Sequence, residues 1–159
     1  MSMMDHPVPG DATASKARLR LWLRLLGVTR LVEAELRERL RALDTTLPRF
    51  DVMAALARAP LGLRMSELSA VLRVSNGNVT GIVDRLEAEG LAVRDPVEGD
   101  RRAFQVRLTA AGLASFADLA ARHEAWVDEL LGAVSLIEAE HLIEQLRAVR
   151  SRPIARGEK

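Results

Sequence analysis

The fold is decided by residues 67–108, which have the sequence ELSAVLRVSNGNVTGIVDRLEAEGLAVRDPVEGDRRAFQVRL. The first half predicts a short helix, a tight connection and a second helix over residues 76–89, whose apolar side chains recur every three or four positions. Ser75 is a suitable N-cap for this second helix, and Gly90 supplies its stop. This part of the chain therefore predicts a helix-turn-helix.

The apolar period changes after Gly90 from helical to alternating. Residues 91–94 and 104–108 alternate between apolar and other side chains, which predicts two strands. Residues 95–102 between them contain Pro, Gly and several charged side chains, so we expect a β-hairpin with a protruding charged loop. A hairpin directly after a helix-turn-helix is the plan of a winged helix-turn-helix.

Further helices are predicted on both sides of this segment. Apolar side chains at three- and four-residue steps predict helices over residues 15–43, 46–59, 109–131 and 135–150. The predicted fold class is therefore mainly α with a small β-hairpin wing, an α+β winged helix-turn-helix. We expect residues 1–15 to form a disordered tail and residues 151–159 to be frayed.

The composition is that of an ordinary globular protein. The chain has 159 residues, of which 48% are hydrophobic and 28% are charged, so one compact domain is expected. Cysteine is absent, which excludes disulfides, thiolate metal sites and thiol redox sensing. The N-terminal residues lack the pattern of a signal peptide, and no apolar run is long enough to span a membrane. We therefore expect a cytoplasmic protein without a membrane partner.

The sequence contains no motif for catalysis, for a cofactor or for a metal. It lacks a nucleophile elbow, a phosphate-binding loop and a zinc motif. The three histidines, His6, His123 and His141, show no spacing typical of metal ligands. We expect a protein that is not an enzyme and that carries no cofactor.

Charge is divided between the two ends of the chain. Residues 16–43 contain eight basic and three acidic residues, whereas residues 110–150 contain three basic and seven acidic ones. Helices of opposite charge are candidates to pack together, within one chain or between two chains. Two separately solvated helix faces explain the division equally well.

The second helix of the helix-turn-helix starts with polar residues and has no acidic residue before Asp84. Asn and Thr side chains can contact base edges, while Ser, Arg and a helix N-terminus can contact phosphates. Gly77 and Gly81 are unfavourable in a helix, which favours a close approach of the backbone to a ligand or another helix. The candidate base contacts are Asn76, Asn78 and Thr80, and the candidate phosphate contacts are Ser75 and Arg85.

The expected hairpin tip carries Asp100, Arg101 and Arg102. Two guanidinium groups on a projection suit a narrow minor groove, where negative potential is concentrated. Asp100 would repel phosphate, so its expected role is to hold an arginine side chain and the turn in shape. A solvated charged hairpin is the plain alternative, but the tip and the polar helix together favour DNA binding.

With these residues in view, the chain resembles the MarR family of winged-helix transcriptional regulators over residues 16–150. The matching segments are LS at 68–69, VS at 74–75, VT at 79–80, VDRLEAEGL at 83–91, DP at 95–96, DRR at 100–102 and LTAAG at 108–112. The resemblance implies a homodimer built from residues 16–45 and 110–150, with residues 46–109 as the DNA-binding lobe. It also implies a pseudo-palindromic operator whose half-sites lie about 34–36 Å apart. Arg64 stands where the family usually has a capping Ser or Thr, so the start of the third helix is expected to be frayed or capped by other means.

The resemblance further implies a small organic effector, such as an aromatic acid or a phenol, in a cleft between the dimerisation helices and the DNA-binding lobe. An aromatic wall with one guanidinium suits an aromatic carboxylate. The candidate lining residues are Trp22, Leu26, Arg49, Phe50 and Met53. Ordinary packing in the core is the alternative for the apolar members of this set.

Together these observations predict a homodimeric, ligand-responsive repressor that binds double-stranded operator DNA. The alternative is a winged helix that serves as a protein-interaction or architectural module without ligand response, because a fold does not determine a function. Apolar or acidic residues at the wing tip would favour the module. The two arginines and the polar helix favour nucleic acid.

Overall fold

The protein is described by a computed structural model over residues 9–72, 76–97 and 100–150. In chain order the elements are α1 (Pro9–Arg41), α2 (Leu47–Ala57), β1 (Leu63–Arg64), α3 (Met65–Leu72), α4 (Asn76–Ala88), β2 (Ala92–Val97), β3 (Asp100–Leu108), α5 (Ala110–Leu130) and α6 (Leu136–Arg150). This mainly helical chain with one small antiparallel sheet confirms the predicted fold class. In these ranges no helix is both long enough and apolar enough to cross a bilayer.

The chain divides into two compact units, residues 1–123 and residues 124–159. The first unit contains α1, the winged helix-turn-helix and most of α5. The second contains the last turns of α5 and all of α6. The expected tails fall partly outside the described residues, at positions 1–8 and 151–159.

The helix α1 begins earlier than predicted, at Pro9 instead of Ser15. Residues 9–14 therefore extend the helix and do not belong to the expected tail. Proline is tolerated in a first turn because its missing N–H has no partner within the helix there. Ala12 and Ala14 have high helix propensity, which explains why the helix continues back to Pro9.

The sheet has the strand order β1-β3-β2 with antiparallel pairing throughout. Both strands of the hairpin are longer than predicted. The prediction of a loop over residues 95–102 was wrong for residues 95–97, which belong to β2, and for residues 100–102, which belong to β3. Pro96 fits inside β2 because β2 is an edge strand, where a missing N–H removes no bond from the ladder. The pairing register shifts between Pro96 and Val97, whose partners are Phe104 and Asp100. This irregularity accommodates the extra residues of β3.

The core of the first unit is an aliphatic cluster contributed by α2, α3, α4 and the sheet. Its members are almost completely inaccessible to solvent and include Val52, Met53, Leu56, Leu68, Val79, Val83, Leu86, Val106 and Leu108. Val79, Val83 and Leu86 follow the three- and four-residue spacing that predicted α4. The buried stripe of α4 therefore faces α2 and the sheet, and its opposite face is left to solvent.

The helix ends confirm most of the predicted caps. The Thr46 hydroxyl accepts a hydrogen bond from the backbone N–H of Arg49 at 3.3 Å, which makes it the N-cap of α2. Ser135 and Glu138 form the reciprocal bonds of a capping box at the start of α6. At α3, the backbone N–H of Arg64 donates to Glu67 Oε2 at 2.7 Å. The bond from the backbone N–H to the Glu67 carboxylate is thus kept, although Arg64 lacks the hydroxyl that would form the other bond of a capping box.

A tight junction connects the end of α4 to the start of α5. The Thr109 hydroxyl donates to the carbonyl of Gly90 at 2.7 Å and accepts from the N–H of Gly112 at 3.0 Å. The Thr109 N–H donates to the carbonyl of Leu91 at 3.0 Å. A Cβ atom at Gly112 would lie 1.9 Å from that same carbonyl oxygen, so only glycine fits.

We expect Gly112→Ala to destabilise the protein by about 1–3 kcal/mol or more, because backbone atoms must move to admit the methyl group. Gly81→Ala in α4 is the matched control, since a Cβ there meets nothing within 4 Å. The control should be stabilised by about 0.5–1 kcal/mol through helix propensity. Urea unfolding of both variants tests this, and equal midpoints would contradict the close packing at Gly112.

Candidate nucleic-acid interface

The front of α4 presents polar side chains to solvent. Asn78 and Thr80 are exposed, while Val79 between them is fully buried. Asn76 is the first residue of α4, but its side chain lies outside the described part of the structure, and Ser75 lies outside it altogether. The structure therefore leaves both Asn78 and Thr80 accessible to solvent, as a base-contacting role requires.

The two glycines of α4 lie in open surroundings. A Cβ atom at either Gly77 or Gly81 would meet no described atom within 4 Å. Packing against another part of this chain therefore does not account for glycine at these positions. A close approach of the backbone to a ligand, or to a helix of another chain, stays the prediction for these two positions.

Arg85 lies on the exposed side of α4, next to a cleft of about 720 Å³. The cleft is lined by the end of α1, the start of α2 and the front of α4, and it contains three arginines, Arg37, Arg41 and Arg85. Arg37 is paired with Glu33 at 2.6 Å and Arg41 with Glu38 at 2.5 Å. Arg85 forms no ion pair with any described residue, so its guanidinium is available to a phosphate.

The wing carries further basic residues in β3. Arg101 and Arg102 belong to β3, and the backbone of Asp100 pairs with that of Val97 across the hairpin. The side chains of these three charged residues lie outside the described part, so their assigned roles stay predictions. Arg107 in the same strand is held by Asp95 at 2.5 Å.

The structure shows a connection between the wing and α4 that the sequence did not predict. Arg94 of β2 donates from Nη2 to Asp84 Oδ1 at 2.6 Å and from Nη1 to Glu87 Oε2. The backbone N–H of Arg94 also donates to Glu87 Oε1 at 3.0 Å. Both acidic side chains of α4 thus share one arginine from the hairpin.

The predicted effector residues are not brought together as a set. Trp22 on α1 is 58% exposed, and Leu26 is partly buried. Neither residue lines the cleft of about 720 Å³ or a second cleft of about 430 Å³, and Phe50 lines neither of them. Only Arg49 and Met53 share a cleft, one of about 430 Å³ between the α1–α2 connection, α2, the end of α4 and α5.

Arg49 already holds a carboxylate of this chain. Its guanidinium donates to both oxygens of Glu89, at 2.7 and 2.5 Å. These hydrogen bonds hold the pKa of Glu89 below its ordinary value. A ligand carboxylate at Arg49 would therefore have to replace Glu89. Thr45 lines the same cleft, and its buried hydroxyl oxygen has no hydrogen-bond partner among the described residues.

Phe50 has a structural environment of its own. Its ring stacks on His123 with the centroids 4.3 Å apart and contacts Phe116 at 5.6 Å. Burial lowers the pKa of His123, and the nearby Asp51 carboxylate partly opposes this effect. This aromatic group fits the core-packing alternative for Phe50.

Comparison with known proteins agrees with the winged-helix architecture. The family model described as the MarR family matches residues 43–103. The transcriptional regulator PecS of Dickeya dadantii is 35% identical over 95 residues, which are 58% of this chain and 57% of PecS. The match thus spans little more than half of that relative.

Two solved structures extend the likeness over most of the chain. A MarR family transcriptional regulator from Silicibacter pomeroyi is 37% identical, with a TM-score of 0.69, and the match covers 86% of this chain and 94% of that one. The chain belongs to the MarR family. A mutant of E. coli MarR complexed with operator DNA is 27% identical, with a TM-score of 0.68 over 84% of this chain and 95% of that one.

Membership of the MarR family confirms the prediction that the protein is not an enzyme, because the family consists of transcriptional regulators. Within the described ranges, no group of three or more His, Asp or Glu side chains could hold a metal ion.

The Arg49–Glu89 pair predicts a pH dependence of stability. A carboxylate whose pKa is lower in the folded state stabilises the fold above its unfolded pKa, and this contribution is lost as the pH falls through the folded pKa. Arg49→Met should lower the free energy of unfolding at pH 7 by about 0.2–1 kcal/mol, since Glu89 is half exposed. The difference from wild type should disappear at a pH below the lowered pKa of Glu89, where its carboxylate is protonated in the folded state as well.

Urea titrations at the two pH values measure this difference. Glu89→Gln should reproduce the loss at pH 7, and the double variant should lose no more than either single variant. A loss that is independent of pH would mean that Arg49 stabilises the fold through packing and not through the ion pair.

Proposed function

We propose that this MarR-family regulator binds a pseudo-palindromic operator, with α4 in the major groove and the hairpin wing in the neighbouring minor groove. The observation that carries the proposal is the solvent-facing front of α4, where Asn78 and Thr80 are exposed beside two glycines in open space. Asn and Thr side chains can recognise base edges, and a glycine backbone permits close approach. Arg85, whose guanidinium forms no ion pair with a described residue, would contact a phosphate at the edge of the groove.

The role of the wing rests on its charge. Arg101 and Arg102 follow the turn of the hairpin in β3, and both would contact the minor groove. Asp100 would keep the turn and one arginine in shape. The structure of E. coli MarR with operator DNA supports this arrangement through its similar fold.

A homodimer is the second part of the proposal. The helix α1 has a row of apolar side chains that are at least half exposed, and α6 has another. The members are Leu19, Leu21, Trp22, Leu23, Val28 and Leu31 on α1, and Leu136, Ile137, Ile143 and Val149 on α6. So much exposed apolar surface is unusual for a monomer and favours burial against a second copy. Two copies would present two α4 helices to successive major grooves.

A small organic effector would release this repressor from its operator. The cleft of about 430 Å³ supports an effector site because it combines Met53, Arg49 and the unpartnered Thr45 hydroxyl. A volume of this size suits a small aromatic acid or phenol. Trp22 and Leu26 would join the site only if the second copy brings them there.

Asn78→Ala and Arg85→Ala should weaken DNA binding in different ways. Asn78→Ala should cost about 1–3 kcal/mol on the operator and relax the preference for it, because it removes a base contact. Arg85→Ala should weaken binding to every sequence and reduce the slope of log affinity against log salt by about 1. Fluorescence anisotropy with DNA from upstream of the gene and a scrambled control, over a salt series, measures both effects.

Equal losses on both DNAs for Asn78→Ala would exclude base contact by α4. No binding of the wild-type protein to either DNA at low salt would favour a protein-interaction module. Strong but equal binding to both would favour an architectural role.

The dimer is tested by Leu23→Glu in the exposed row of α1. A buried charge at a two-fold interface is strongly unfavourable, so this variant should sediment as a monomer or fail to fold. Arg20→Glu, also on α1 but in the basic half, is the control for the change of charge. A folded Leu23→Glu dimer would show that α1 is not the dimer interface.

A further inference from the structure

The wing and α4 are joined by the Arg94 clamp, which we define as Arg94, Asp84 and Glu87. Asp84 and Glu87 lie three residues apart on α4, so their side chains share one face of the helix. Arg94 reaches both of them from β2, and its own backbone N–H completes the set. One side chain of the hairpin therefore binds two side chains on one turn of the helix.

The clamp lies beyond the apolar contacts that hold the base of the hairpin. Ala92, Val106 and Leu108 are buried in the core, and they fix the first residues of the wing. Arg94 is two residues further along β2, where it remains 26% exposed. Phe104, further towards the tip on the neighbouring strand, is 47% exposed. The apolar core therefore does not fix the direction of the outer part of the hairpin, which depends on other interactions.

The chemistry of the clamp suits a fixed geometry. A guanidinium is planar and donates in fixed directions, so two carboxylates bound to it are held at a set angle. Partial burial of Arg94 and Glu87 strengthens these bonds relative to those of an exposed pair. Without Arg94 the two acidic side chains would repel each other and would leave negative charge beside the DNA-facing surface.

We propose that Arg94 is a positioning residue for DNA recognition, which holds the wing at a fixed distance from α4 so that both elements engage their grooves at once. This inference rests on the proposed function, because the two grooves are those of the operator. Arg94 itself need not contact DNA. Its effect is to couple the base contacts of α4 to the minor-groove contacts of the wing.

The test compares Arg94→Met with Arg107→Met. Arg107 is the matched control because its ion pair with Asp95 lies within the hairpin and does not reach α4. Arg94→Met should weaken operator binding about tenfold and binding to scrambled DNA far less, since a mispositioned wing loses sequence-dependent contacts. Arg107→Met should change the affinity for both DNAs by the same factor.

Coupling to the wing tip is measured with Arg102→Ala in both backgrounds. In the wild-type background this change should weaken operator binding strongly, and in the Arg94→Met background it should have little further effect. Losses that simply multiply would overturn the proposal, because two independent contacts are additive in free energy. Equal weakening on operator and scrambled DNA would also overturn it, since that result indicates only a change in charge.

A measurement without DNA separates this inference from the proposed function. Because the chain has no cysteine, nitroxide labels can be attached at Asn78→Cys on α4 and Phe104→Cys on β3 alone. The labelled chain is mixed with an excess of unlabelled chain, so that only distances within one protomer are measured. Arg94→Met should broaden the distance distribution, and Arg107→Met should leave it unchanged.

An unchanged distribution in Arg94→Met would overturn the positioning role even if operator binding is confirmed. Failure of the wild-type protein to bind any DNA would refute the proposed function. In that case the spin-label distances still decide whether Arg94 fixes the wing to α4.

Discussion

The burial of one face of α4 is the constraint on which the rest of the site depends. Val79, Val83 and Leu86 are completely inaccessible and belong to one apolar cluster with side chains of α2, α3 and β3. With this face fixed, helix geometry places Gly77 and Gly81 on the opposite side and Asn78 and Thr80 at its two edges, each about 100° around the helix from Val79. The same cluster includes Val106 of β3, so the hairpin and α4 share one apolar core. The exposure of the polar side chains of α4 and the position of the wing therefore both depend on this one apolar cluster.

Local sequence patterns predicted much of this arrangement. Apolar spacing and caps such as Thr46 and Ser135 depend on residues a few positions apart, and they were correctly recognised. The strands were harder to delimit because their pairing depends on distant residues. The strand β1 has only two residues, and its partners Val106 and Gln105 lie more than 40 positions away. No period can be recognised in so short a segment.

The predicted site was limited by the same problem. The exposed front of α4 is contiguous in sequence, so Asn78 and Thr80 could be named from it. The Arg94 clamp and the Arg49–Glu89 pair connect different elements and were missed. A signal existed for Arg94, because two acids three residues apart on a helix need a cation that α4 itself does not offer at a paired position. Trp22 was assigned to an effector site on residue type, and with its side chain 58% exposed on α1 this assignment stays a prediction.

The central claim is that two copies of the chain present two α4 helices to one symmetric DNA site. Selection of binding sites from a random double-stranded DNA library by the wild-type protein tests it most directly. The account predicts enrichment of a pseudo-palindrome whose half-site centres lie about 10 base pairs apart. Enrichment of an asymmetric sequence, or of no sequence at all, would contradict it.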